Sequence, residues 1–258
     1  MPELETLIQY GPFAVLFLAG ILAGFINVMA GGGSTLTLPM LIFLGLDGAT
    51  ANGTNRVAIA VQNLAAVRGF HSSGFSEFKQ SAKFALFTLP GAVAGALLAV
   101  RLDDGLFRKI LGVVLVGIVV SFFFSTKKKE DSESQGETPR WKTILGYAAM
   151  FATGFYGGFI QVGVGFILMA VLFHLLGMNL VRVNMHKVFV VFVYTVPALA
   201  IFSWAGNVSW SHGLTLAAGN TLGGLLGARM AVRGGEKIIR LALGAAILIM
   251  STKLIGLW

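Results

Sequence analysis

Two cations stand inside long apolar runs of this chain. Arg56 and Lys187 each lie six residues or so past the start of such a run, roughly 9 Å deep at about 1.5 Å per helical residue. A cation at the centre of a membrane helix costs about 2.5–3.5 kcal/mol, so something must offset each charge. The simplest candidate is a bound anion, and the alternative is snorkelling of the side chain to the interface. The neighbouring residues suit an anion. Asn52 and Asn55 precede Arg56, and Asn184 precedes Lys187; their amides donate N–H groups to oxyanions. Upstream, Gly31-Gly32-Gly33-Ser34 interrupts one apolar run, and Gly163 and Gly165 interrupt another. A helix restarting after such a break presents unpaired amides and about half a positive charge at its N-terminus, which is an anion-binding end. The spacing therefore places Gly31, Gly32, Gly33, Ser34, Asn52, Asn55 and Arg56 from the first half around one small oxyanion. Gln161, Gly163, Gly165, Asn184 and Lys187 approach it from the second. Asn27 and Gln161 precede the two breaks and either cap the site or satisfy interrupted backbone.

Other chemistries find little support. The eleven Asp and Glu residues all fall near segment ends or in loops, which argues against a cation site or a buried proton-carrying carboxylate. There is no cysteine, and the four histidines show no zinc-binding spacing, so no cofactor or metal is expected. Gly31-Gly32-Gly33-Ser34-Thr35 lacks the Gly-Lys-Ser/Thr ending of a phosphate loop. No nucleophile–base pair points to an enzyme. Gln62 and Asn63 read as interhelical hydrogen-bonding residues, and His174 and His212 as incidental.

The elements that must position these residues follow from composition. Of 258 residues, 56% are hydrophobic and only 12% charged, with a mean hydropathy of +0.82. A soluble domain carries about 25% charged residues, so the chain is an all-α polytopic membrane protein. The net charge of +8 resides mainly in short loops, where it orients a membrane protein and calls for no nucleic acid. Ten apolar segments are expected, at 8–29, 34–46, 50–70, 81–100, 105–125, 141–163, 165–177, 181–204, 211–231 and 235–252. Those at 34–46 and 165–177 are too short to span a bilayer, for which about 20 residues are needed. Both follow a glycine break, and such irregular backbone persists at membrane depth only when buried in protein or lining a cavity. The Met1–Gln9 stretch has no Lys or Arg, so no cleavable signal peptide is expected.

The halves are related. Leu44, Gly45, Asn52, Phe70, Gly74, Gly91, Gly95, Arg101, Arg108 and Gly112 recur 132 positions later as Leu176, Gly177, Asn184, Phe202, Gly206, Gly223, Gly227, Arg233, Arg240 and Gly244. Upstream, an offset of 134 pairs Gly24, Phe25, Ile26, Val28 and Gly31 with Gly158, Phe159, Ile160, Val162 and Gly165. Five segments per half, an odd number, and the placing of Lys and Arg in alternate loops predict an inverted repeat. Residues 8–125 form the first half, 126–140 a charged cytoplasmic linker, and 141–252 the second half, with both termini outside. Inverted repeats with interrupted helices in matching places point to a transporter with a midplane site. Gly20/Gly24, Gly91/Gly95 and Gly223/Gly227 read as helix-packing surfaces, serving the repeat interface or a homodimer.

Gly24-Phe25-Ile26-Asn27-Val28-Met29-Ala30-Gly31-Gly32-Gly33-Ser34, followed by Ala49-Thr50-Ala51-Asn52-Gly53-Thr54-Asn55-Arg56, resembles the TauE/SafE family of sulfite exporters and related permeases. The duplicated layout and the Gly-rich stretch near 157–165 are similar too. The resemblance implies transport of sulfite, or of a related organosulfonate or other organosulfur anion, across the cytoplasmic membrane. The second repeat departs from the first: Gly163-Val164-Gly165 replaces the triple glycine, and Lys187 stands where the first half has Asn55.

Overall fold

The structure is a computed structural model that describes the backbone of residues 2–123 and 139–254 and the side-chain environments of 11–118 and 139–233. The linker expected at 126–140 lies, but for its last two residues, outside the described residues. Among the described residues the chain is helical, without strands. The helices are α1 (Pro2–Met29), α2 (Ser34–Phe43), α3 (Gly48–Ser72), α4 (Phe78–Ala99), α5 (Asp104–Phe123), α6 (Arg140–Phe159), α7 (Val164–Ala170), α8 (Leu180–Trp204) and α9 (Trp210–Leu254); a π turn, Val171–Leu175, continues α7.

The boundaries repeat. Moved on by 132 residues, α3 coincides with α8 at both ends, and the start of α4 falls on the start of α9. The local causes repeat as well. Asp47 accepts from the Thr50 N–H at the head of α3, and Asn179 accepts from the Arg182 N–H at the head of α8, each satisfying one of the orphan donors of a first turn. The left-handed glycines of the first half, Gly31, Gly45 and Gly74, match Gly163, Gly177 and Gly206 of the second. At the first break the backbone thus follows the 132 offset, pairing Gly31 with Gly163 rather than with Gly165.

Helices α3 and α8 form the centre and pack on each other. α1 with α9 flanks one side, and α4 with α6 the other. The flanking pairs approach closely through small residues, as expected of Gly20/Gly24 and Gly91/Gly95: a Cβ at Gly24 would strike the Asn220 backbone, and one at Gly95 would strike Phe155 O. Close backbone approach of this kind supplies the van der Waals contact that holds helices together where lipid removes the hydrophobic drive. Outward-facing Leu18, Leu86, Val113, Ile144 and Leu214 remain exposed, and Trp204 is almost wholly so, as a lipid-facing surface with interfacial tryptophans requires.

Among the described residues, three helical stretches are long and apolar enough to cross a membrane by length and composition alone: Gly11–Met29, Phe78–Ala99 and Leu180–Trp204. Helix α3 falls short because it carries three Asn, two Thr, two Arg and a Gln, yet it is buried almost continuously from Gly48 to Ala60. Its solvent is protein, so its outer face need not be apolar. One expectation fails. The segments expected at 211–231 and 235–252 form the single helix α9, about 68 Å long at about 1.5 Å per residue. Gly234-Gly235 costs helix propensity, about 1 kcal/mol per glycine, but no proline occurs between 210 and 254 to break the hydrogen-bond ladder.

Candidate functional site

The two interrupted stretches meet at Gly31 and Gly165. Gly31 has φ +89°, and a Cβ there would lie 2.5 Å from Gly165 Cα; a Cβ on Gly165 would in turn strike Gly31 Cα. Both positions require glycine, one for its backbone angle and both for the contact. Around this crossing every residue expected at the site is buried: Gly31, Gly32, Gly33, Ser34, Asn52, Asn55, Arg56, Gln161, Gly163, Gly165, Asn184 and Lys187.

The cations are held differently from the sequence expectation. Asn52 and Arg56 sit at i, i+4 on α3 and share a face. Asn52 Nδ2 donates to Phe159 O, the last carbonyl of α6, at 2.7 Å. Arg56 Nη1 donates to Gly157 O and to Gln161 Oε1, both at 3.1 Å, and Nη2 to Gly158 O at 2.5 Å. The guanidinium also lies 4.7 Å above the Phe202 ring. On α8, Asn184 and Lys187 are i, i+3. Asn184 Nδ2 reaches Met29 O, the last carbonyl of α1, at 3.4 Å, and Lys187 Nζ donates to Val28 O at 2.8 Å and to Asn184 Oδ1 at 2.7 Å. Each central helix therefore caps the broken end of a helix from the other half of the chain. The C-terminal end of a helix carries orphan carbonyls and about half a negative charge, and those groups offset the buried cations without any anion. Neither side chain snorkels. On the two cations, Arg56 Nε is buried with no hydrogen-bond partner.

At the head of α2, Asn55 Nδ2 donates to Ser34 Oγ at 3.1 Å, and Thr37 Oγ1 donates to Asn55 Oδ1 at 2.7 Å. The matching contact in the second half joins Lys187 Nζ to Met169 Sδ at 3.7 Å. Helix α2 offers a ten-residue N-terminus opened by Gly33, whereas α7 is helical for only seven residues before the π turn. The second half therefore provides a weaker amide end than the spacing suggests.

Gln161 has an unusual backbone conformation. Among the described residues it is the one non-glycine with positive φ, at +61°, a conformation that costs energy and persists where surroundings over-determine it, commonly at functional sites. Its side chain accepts from Arg56 and donates to Tyr194 OH at 3.2 Å. Asn27 Nδ2 likewise donates to Gln62 Oε1 at 3.3 Å, and Asn220 Nδ2 joins the same oxygen at 3.2 Å. Asn27 and Gln161 thus bond side chains of the central helices rather than interrupted backbone. Gln62 is interhelical as expected; Asn63 is not, because its amide bonds Ile59 O of its own helix.

Thr37, Tyr194 and Phe202 also belong to this neighbourhood, and the sequence reading did not assign them. Tyr194 was within reach, since the 132 offset places it on Gln62. Thr37 is one turn past Ser34 on the same face of α2.

The comparisons with known proteins agree with this architecture. Residues 16–254 match the family described as "Sulfite exporter TauE/SafE". A "Probable membrane transporter protein" of Haemophilus influenzae is 29% identical over 242 residues, covering 94% of each chain. A "Probable membrane transporter protein ORF9" of Sinorhizobium sp. is 30% identical over 227 residues, 88% of this chain and 86% of that one. The "Probable membrane transporter protein YfcA" of Escherichia coli K12 is 28% identical over 261 residues, 99% and 94% of the two chains. No solved structure matches the chain. With a match over nearly its whole length and apolar helices around a buried polar crossing, the chain belongs to the TauE/SafE family and is a membrane transporter.

Proposed function

We propose that this transporter exports sulfite, or a closely related sulfur oxyanion, across the cytoplasmic membrane by alternating access. The observation that carries the reading is the contact of two interrupted helices at Gly31 and Gly165, flanked by Asn52 with Arg56 and by Asn184 with Lys187. An anion entering there meets Arg56 Nε, the Ser34 N–H at the head of α2 and the Ser34 hydroxyl. Among the described residues no Asp or Glu is buried, so nothing competes for these donors.

The halves are read as inverted copies. The support is the shared 132-residue spacing of helices and left-handed glycines, together with the exchange of partners: α1 packs on α9 as α6 packs on α4. Rocking of one half on the other about the glycine crossing alternates access. In this reading the N-terminus faces outside, and Arg68, Lys79 and Lys83 face the cytoplasm. The inside-negative potential then drives anion export by about 2.3 kcal/mol per charge per 100 mV.

The test is sulfite flux from proteoliposomes holding the purified chain, with and without an imposed potential, against Lys187→Ala. Saturable, potential-accelerated flux that falls sharply in Lys187→Ala is expected. Absence of sulfite flux, with flux of an organosulfonate instead, moves the cargo to the organosulfur anions and keeps the site. Sulfite flux unchanged in Lys187→Ala removes that residue from the site.

A further inference from the structure

A second polar cluster lies away from the glycine crossing, where α8 passes the head of α4. His186 is fully buried. Its Nδ1 is 2.8 Å from Ser81 Oγ, and its Nε2 is 3.3 Å from Glu77 Oε2, outside hydrogen-bond geometry and without another partner. The same Glu77 oxygen accepts from Arg182 at 2.7 Å. Glu77 is partly exposed and, with Ser81, His71 and Met185, lines a small cavity beside the imidazole. The cavity thus reaches Glu77 and Ser81, the two residues whose oxygens face the buried ring.

The hydrogen-bond accounting gives the ring two satisfied states. In the neutral ring the proton sits on Nε2, facing the Glu77 carboxylate, and Nδ1 accepts the Ser81 hydroxyl over the 2.8 Å contact. Ser81 has a second acceptor, Glu77 O at 3.2 Å, one turn back on α4. When the hydroxyl turns to that carbonyl, Nδ1 can take a second proton and donate to Ser81 Oγ, while Nε2–H faces the carboxylate as a charge-assisted contact. Ser81 is 1% exposed, so the trio holds a proton rather than attacking a substrate. Arg182 keeps the Glu77 carboxyl below the usual carboxylate range by its hydrogen bond, so Glu77 remains the anion of the pair. The charged and titratable groups around the ring are Glu77 at the head of α4, Arg182 on α8 and His71 at the end of α3; the other neighbours, Phe84, Met185 and Phe189, carry no charge.

We propose that Ser81, His186 and Glu77 form a proton-binding site and that the transporter moves a proton together with its anion. This rests on the anion-transport reading above. The link is α8 itself. His186 ties it to α4, and the next residue, Lys187, ties it to the broken end of α1. A proton that fastens one tie biases the arrangement in which the other is made, which is coupling between two sites through one element.

The experiment uses the full chain in proteoliposomes, clamped at zero potential, with sulfite as the probe anion. Wild-type protein is expected to change the equilibrium sulfite ratio by about tenfold per unit of imposed pH gradient beyond protein-free liposomes, the value for one coupled proton. His186→Gln is expected to carry sulfite without that gradient response, and Glu77→Gln to weaken it. An unaltered gradient response in both variants overturns the proposal. A separate arm needs no transport. In protein labelled with ¹⁵N-histidine, the His186 signal, identified by its loss in His186→Gln, is expected to show the doubly protonated pattern on acidification and to lack it at the same pH in Glu77→Gln. If no variant moves sulfite, the cargo reading fails while this arm still decides the proton site: a His186 signal indifferent to Glu77→Gln overturns it.

Discussion

Gly165→Ala is the sharpest perturbation of the crossing. The new Cβ would overlap Gly31 Cα and its carbonyl. These are backbone atoms of a second break, so no flexible side chain can move aside. Overpacking a well-filled core costs about 1–3 kcal/mol, and a clash with backbone belongs at the upper end, about 3 kcal/mol. For a chain of this size each kcal/mol lowers Tm by about 2–4 °C, so Gly165→Ala should melt about 6–12 °C below wild type. Gly31→Ala meets the same obstacle and adds a residue with φ +89°, a left-handed penalty of about 1–2 kcal/mol, so it should melt lower still. Gly112 on α5 is the control: a Cβ there meets nothing within 4 Å, and Gly112→Ala gains helix propensity of about 1 kcal/mol. The assay is thermal unfolding of purified protein in detergent, followed by tryptophan fluorescence, with flux measured below each midpoint. Gly165→Ala that melts with wild type and transports normally would show that the two breaks do not touch, and the site built on their contact would fall.

Four further outcomes follow from the same contacts. Arg56→Lys keeps the charge but cannot reach the Gly157, Gly158 and Gln161 acceptors together, so one buried acceptor is orphaned and stability drops by about 1–3 kcal/mol, read as a lower Tm at unchanged net charge. Asp47→Ala and Asn179→Ala each remove a helix cap and should cost about 1 kcal/mol; equal losses would match the repetition of α3 in α8. Glu77 has a lowered folded-state pKa owing to Arg182, so its contribution is present above the ordinary carboxylate pKa and is lost as pH falls below about 4. The Tm difference between wild type and Glu77→Gln should therefore collapse once the pH falls below that range, and a difference that persists there refutes the pairing with Arg182. Phe202→Leu removes the ring under Arg56, worth about 0.5–2 kcal/mol, and should lower Tm more than Trp204→Leu at its exposed neighbour.

The breaks, the repeat spacing and the membrane character were legible in the residue order because each has a residue-type signature: glycine for the turn, a fixed offset for the copy, few charges for the lipid. The partners of Arg56 and Lys187 were not. They are backbone carbonyls of Gly157, Gly158 and Val28, and a carbonyl leaves no mark in the sequence, since every residue has one. The i, i+4 and i, i+3 spacings of Asn52/Arg56 and Asn184/Lys187 did announce a shared face. What that face meets depends on α6 and α1, more than a hundred positions away. The same distance hid Glu77 from His186. The continuity of α9 was misread for a different reason: two glycines and a cluster of Lys and Arg look like a loop, but only proline removes the ladder bond that would force one.

The capping of both broken ends changes how an anion should be held in the proposed site. Each interruption contributes about half a positive charge at the restarting helix and about half a negative charge at the ending one, so the dipoles of a break nearly cancel. What remains is the formal charge of Arg56 and Lys187, in a region where no described acidic residue is buried. Their donors are mostly committed to backbone, so an anion is attracted by the field of two cations without forming a full ion pair with either. A bidentate arginine clamp would bind tightly and release slowly; passage requires binding strong enough to enter and weak enough to leave. Cations that already have partners also avoid the large penalty of an uncompensated buried charge when the anion departs. The same contacts that keep α1, α3, α6 and α8 joined at the glycine crossing can therefore make the site electropositive in both its loaded and its empty states.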